Sequence, residues 1–138
     1  MNPDSPCPCG TGRSFSGCCE PFIEGDGTPE TAEALMRSRY TAYSLGREDY
    51  LRVTWHPTTR RNDLDLDEAV RWLGLKIVRT RDGGPGDREG QVELVVRYKI
   101  GGRAHRLHEV SRFVRRSGRW FYVNGEMVTS SSKPLLDG

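Results

Sequence analysis

No cysteine occurs after Cys19, and nothing in the 138 residues approaches a run of 18 apolar side chains. The second absence excludes a membrane-spanning helix. The opening residues Met1 to Pro6 carry no basic start and no apolar stretch behind it, so the expected compartment is the reducing cytoplasm. There is no glycine-rich phosphate loop. The glycines between Gly83 and Gly90 lack both the strand-to-helix context and the lysine that such a loop needs. A nucleophile elbow, a second metal-ligand spacing and an internal repeat are missing too. Net charge is small, with 21 Lys and Arg against 19 Asp and Glu, formally +2. Four thiolates around one divalent cation would bring that sum to zero. A general argument from basic charge to nucleic acid therefore has no force. What is present, 35% hydrophobic and 29% charged residues, is ordinary for a soluble protein, and the length suits one domain with a small appendage.

The four cysteines crowd into one short segment as Cys7, Cys9, Cys18 and Cys19. Two disulfides are one way to use them. An unexported chain with a real core does not need such staples, and a bond between adjacent Cys18 and Cys19 would force unusual geometry. The alternative is metal. Zn2+ takes four soft ligands in a tetrahedron, and four protein ligands leave no open position, so such an ion is structural rather than catalytic. Pro8 stiffens the first pair, Gly10 and Gly12 let the backbone bend toward the sulfurs, and Arg13 adds a positive charge nearby. The spacing C-x-C-x8-C-C with these glycines resembles the SEC-C motif, a zinc knuckle. The resemblance implies one zinc ion, with Cys19 as last ligand, and docking to a protein partner.

Residues 1–20 are thus expected to form the knuckle, 21–28 a linker bending at Gly25 and Gly27, and 29–127 the main domain. Thr28 and Pro29 predict the start of a first helix that runs to Leu45 and stops at Gly46. A second helix is predicted over Asp49–Thr54, ended by Trp55-His56-Pro57. Asp65 or Asp67 can cap a third, running through Ala69, Val70 and Trp72 to Leu73. The pattern then changes to strands. Leu75–Thr80 comes first, followed by a long mobile loop from Asp82 to Gly90. Gln91–Ile100 shows clean alternation of Val92, Leu94, Val96, Tyr98 and Ile100. A turn at Gly101-Gly102 leads to strands His105–Arg115 and Arg119–Asn124. Residues 128–138 read as a disordered tail. Helices followed by an antiparallel meander give an α+β protein, a cone of three helices on a curved four-stranded sheet.

Further motifs occur in order: Leu35-Met36-Arg37-Ser38-Arg39-Tyr40-Thr41-Ala42-Tyr43, Asp49-Tyr50-Leu51, Thr54-Trp55-His56-Pro57, Trp72-Leu73-Gly74-Leu75, Leu107-His108-Glu109-Val110-Ser111-Arg112-Phe113 and Gly118-Arg119-Trp120-Phe121-Tyr122-Val123-Asn124-Gly125. With the knuckle, these resemble the bacterial YchJ family from Cys7 to about Gly125. The resemblance implies a nuclear-transport-factor-2-like, cystatin-like middle domain. Some members have a second, C-terminal knuckle; with no cysteine after Cys19, none is expected here.

The polar and aromatic residues Arg39, Tyr43, Trp55, Glu109, Arg112 and Trp120 are candidates for a pocket in the cone, with His56 and Tyr122 nearby. Alternation puts Glu109 on a face with Leu107, Ser111 and Phe113, and His108 on the other with Val110, Arg112 and Val114. Glu109 is the expected buried acid, paired with Arg39 or Arg37, either as a structural salt bridge or as part of a ligand site. Three functions follow. The first is an adaptor that docks through its knuckle and holds a small molecule in the cone. The second is an isomerase, dehydratase or hydrolase using Glu109 or His108. The third, against which the neutral corrected charge argues, is ribosome or nucleic-acid association. A homodimer formed through the sheet is compatible with each.

Overall fold

The computed structural model describes residues 2–60 and 70–128. A 3-10 turn at Phe15–Gly17 leads into the one-turn helix α1 (Glu20–Ile23). Helix α2 (Ala32–Leu45) and helix α3 (Glu48–Val53) follow. Strands β1 (Arg71–Asp82), β2 (Glu89–Ile100), β3 (Arg103–Arg116) and β4 (Arg119–Met127) then form one antiparallel sheet in the order β1-β2-β3-β4. The α+β architecture, three helices against a four-stranded meander, is as expected. The third described helix is α1, formed where the sequence predicts a linker.

Helix α2 starts three residues later than Pro29 suggests. Thr31, in extended conformation, caps it by accepting the N–H of Ala34 at 3.0 Å. The N–H of Ala32 is taken by the carbonyl of Gly83 at 2.9 Å, so the β1–β2 loop fixes where the helix begins. That contact also explains two glycines. A Cβ on Gly83 would lie 2.8 Å from the Ala32 side chain, and one on Gly90 would lie 2.5 Å from Gly83 Cα. The strands continue to Asp82 and from Glu89, leaving a six-residue loop whose base is locked against α2. Gly46 ends α2 in the left-handed region at φ 72°.

The predicted third helix falls mostly at residues 61–69, outside the described residues, as does the tail beyond Val128. Its last part is a correction: Trp72 and Leu73 belong to β1, which begins at Arg71 rather than Leu75. Trp72 packs against the rings of Tyr40, Tyr43 and Tyr98 at 5.7–5.9 Å, contacts that only the strand face turned toward α2 can make. Register shifts at Trp72/Gly74, Ile77/Arg79 and Arg112/Phe113 bend the sheet around the helices.

The knuckle is not a separate body. Cys7, Cys9, Phe15, Cys18, Cys19 and Ile23 share one core with Leu35, Met36 and Tyr40 of α2, and that core continues to Val92, Leu94, Val96 and Phe113 on the sheet. Leu35, Leu51 and Val92 are wholly buried. Truncating either leucine to alanine would cost about 2–5 kcal/mol.

Candidate functional site

Two constellations of polar side chains flank α2. On the knuckle side stand the cysteines. The segment bends back because Gly10 and Gly12 adopt φ of 85° and 86°, while the N–H of Cys7 bonds to the Arg13 carbonyl at 2.8 Å. All four sulfurs lie within 4.8 Å of one another and all four residues are buried. Cys9 and Cys18 sulfurs are 3.6 Å apart, and those of Cys18 and Cys19 are 4.0 Å apart. Sulfurs each about 2.3 Å from one zinc ion stand about 3.8 Å apart in a tetrahedron, close to the two separations just given. A disulfide would need roughly half that separation, and the four cysteines are free.

Cys9 is pulled down to about 4, chiefly by the hydrogen bond from Cys19, with the backbone of Thr11 helping and burial opposing. Cys19 is pushed up by that same contact and by burial, and Cys18 is pushed up by burial first. Thiolates this close repel one another, and a divalent ion among them would offset that repulsion.

Two threonines that the motif spacing does not reveal complete the surround. The Thr41 hydroxyl, on α2, is 3.4 Å from Cys19 Sγ and 3.7 Å from Cys7 Sγ, and that of Thr11 is 3.1 Å from Cys18 Sγ. Hydroxyl donors of this kind orient ligands and offset thiolate charge. Arg37 donates to the Cys9 carbonyl at 2.8 Å while holding Glu33 at 2.9 Å, tying the loop to α2. Arg13 is exposed, and among the described residues its role is to accept the Cys7 N–H through its carbonyl. The signal for Thr41 was available in principle: it lies one helical turn after Arg37, on the face turned to the knuckle.

On the sheet side, Arg39 is buried to 2% exposure. Its guanidinium donates to the Leu51 carbonyl at 2.8 Å and to Thr54 Oγ1 at 2.7 Å. It lies over the Tyr122 ring at 4.6 Å and the Trp55 ring at 5.7 Å. Burial lowers its pKa, opposed by the neighbouring hydroxyls of Tyr43, Tyr122 and Tyr50. Glu109 faces the same region. Burial raises its pKa, opposed by a 2.9 Å hydrogen bond from Ser111 and by the charge of Arg39. Gly125 makes room for it, because a Cβ there would sit 1.6 Å from Glu109 Oε1. Burial and the Glu109 charge together push Tyr122 up to about 12.

The expected ion pair is not formed. Arg39 spends its hydrogen bonds on α3, and Arg37 turns to Glu33 and the knuckle. The structure brings Arg39, Tyr43, Trp55 and Glu109 together with Tyr122 and separates two other candidates from them. Arg112 is exposed on the outer sheet face, as its alternation relative to Glu109 requires, beside a 120 Å³ cleft. Trp120 is buried toward the α1–α2 connection, where its indole N–H donates to the Glu30 carbonyl at 3.0 Å and its ring lines a 230 Å³ cavity. His108 also lies outside, 2.6 Å from Glu93, the buried carboxylate that sequence reasoning missed. His56 bonds locally to Thr58 at 2.7 Å.

Residues 31–125 match the family described as YchJ, middle NTF2-like domain. A UPF0225 protein of Chromobacterium violaceum is 54% identical over 123 residues, covering 86% of this chain and 90% of its own. A UPF0225 protein of Streptomyces coelicolor is 47% identical, covering 91% and 98%. Among solved structures, a SEC-C motif containing protein from Rhodopseudomonas palustris superposes with a TM-score of 0.79 at 35% identity, covering 91% of this chain and 100% of that one. Another from Psychrobacter arcticus gives 0.75 at 25%, covering 94% and 86%. No described helix is long and apolar enough to cross a membrane.

Proposed function

The chain belongs to the YchJ family with its NTF2-like middle domain, and we propose that it is a binding module whose N-terminal knuckle is organised by one structural zinc ion and docks a protein partner. The observation that carries this reading is the closed set of four buried sulfurs. Four protein ligands leave no position for substrate or water, so the ion shapes a surface. The surface it shapes, away from α2, presents Pro3, Pro6, Gly10, Gly12 and Arg13, all exposed. Small side chains there let a partner approach the backbone closely. A reducing cytoplasm would keep the thiols available for metal.

A photo-crosslinking residue placed at Arg13 tests the docking surface in the native host. The same residue at Arg60 serves as control. The reading expects one discrete adduct from position 13, lost when zinc is removed. Equal labelling from both positions contradicts it.

A second reading is an enzyme using Glu109 as general acid or base in the cone. Its support is the raised pKa of a carboxylate beside Arg39 and Tyr122. Glu109→Gln should then abolish a turnover shown by the wild type while leaving the fold intact. A large loss of stability instead marks Glu109 as part of the packing.

A further inference from the structure

Charge is unevenly divided between the two halves of the molecule. Residues 2–60 hold six Lys and Arg against eight Asp and Glu, whereas residues 70–128 hold thirteen against six. Within the sheet, much of the excess is on the outer face, away from the helices. There Arg97 stands directly across from Arg106, and Arg71 directly across from Lys99. All four are exposed, and among the described residues none of them forms an ion pair. Like charges opposite one another on neighbouring strands oppose pairing, so the fold keeps a repulsion here that nothing in the described chain relieves.

Beside these pairs lies a 480 Å³ groove lined by Leu73, Lys76, Val78, Val95, Arg97, Arg106 and His108, among others. Leu73 and Val78 are 47% and 37% exposed, high for aliphatic side chains on a folded surface. The imidazole of His108 is the sole ring in the lining, and it is held against buried Glu93 at 2.6 Å. An aliphatic floor with a cationic rim selects among anionic partners. Single-stranded nucleic acids call for rings on which bases stack, and this groove offers none free. Aliphatic side chains flanked by carboxylates fill it better.

We infer that the outer face of the sheet docks an acidic protein segment carrying aliphatic side chains, with Arg97 and Arg106 receiving carboxylates and Leu73, Val78 and Val95 receiving the apolar groups. The recognition differs in kind from that at the knuckle: here the partner is recognised by charge and by side-chain apolarity together.

The test uses the full-length, zinc-loaded protein and three fluorescent probes: a twelve-residue peptide of Asp and Glu interspersed with Leu, the same peptide with Ser in place of Leu, and a single-stranded RNA of equal charge. The inference expects saturable binding of the first probe, weakened tenfold or more by added salt. Loss of leucine should weaken it severalfold, as should Leu73→Ser. Arg97→Gln with Arg106→Gln should weaken it tenfold while leaving the melting temperature unchanged or raised, since a repulsive pair is removed. Four results overturn it: no binding, equal binding by wild type and the double variant, tighter binding of RNA, or a concentration-dependent dimer that the double variant abolishes. The last would give the face to a second copy of the chain.

Discussion

Both sides of helix α2 bury polar groups, but they satisfy them differently. On the sheet side, Arg39 finds a carbonyl, a hydroxyl and two aromatic faces within the fold, and Glu109 finds Ser111. On the knuckle side, the contact between Cys9 and Cys19 lowers one thiol and raises the other. The first arrangement is complete in itself. The second is a set of four sulfurs close enough to share one cation. A buried polar cluster therefore signals a ligand when its members frustrate each other, not merely because it is buried and polar.

The largest predicted effect breaks the incomplete side. Because the cysteines share a core with Leu35 and Val92, stripping the metal, or Cys9→Ala, should destabilise the whole domain rather than free the knuckle alone. A loss above about 4 kcal/mol is expected, lowering the melting temperature by on the order of 10 °C or more. A melting curve unchanged by chelation would show two independent bodies. Arg39→Leu comes next. It takes the strong donor from the Leu51 carbonyl and the cation from two rings, costing about 2–4 kcal/mol in urea unfolding, with the metal content unchanged. Gly125→Ala drives a methyl into the Glu109 carboxylate and should cost about 1–3 kcal/mol; adding Glu109→Ala should restore most of it. Thr41→Val leaves packing nearly intact but removes a donor to Cys19, so zinc affinity should fall about tenfold in competition with a chelator.

The smallest effect concerns pH. Burial raises the Glu109 pKa above its ordinary 4.5. The folded state thus holds the proton more tightly than the unfolded one. The resulting stabilisation is fully present below the unfolded value and is lost as pH climbs through the folded value. Melting temperatures of wild type and Glu109→Gln compared upward from that pH should diverge, with the wild type declining more. Parallel curves would place Glu109 in contact with solvent.

The same contrast explains what was legible in the sequence. The cysteine cluster was, because all four side chains fall within one short loop and proximity in sequence there means proximity in space. Strand β2 was, since Val92, Leu94 and Val96 must all face the core. Gly46 was too, because its conformation is local. The start of α2 was not: Thr28 and Thr31 both make plausible caps, and the choice falls to Gly83, more than fifty residues on. Trp72 and Leu73 fit a helical pattern as well as a strand, and only the rings of Tyr40 and Tyr43 decide between them. Alternation separated Glu109 from His108 and Arg112 correctly. It could not show that Arg39 would satisfy itself on α3, or that Glu93, on the outer face, would be buried beneath His108.

The most direct test of the central claim is the ligand-field spectrum and metal content of protein refolded with Co2+ and then displaced by Zn2+. The account predicts one equivalent of metal and the intense visible bands of a tetrahedral four-thiolate site, lost with Cys9→Ala. Less than about half an equivalent, or weak octahedral bands with two disulfides formed, would contradict it.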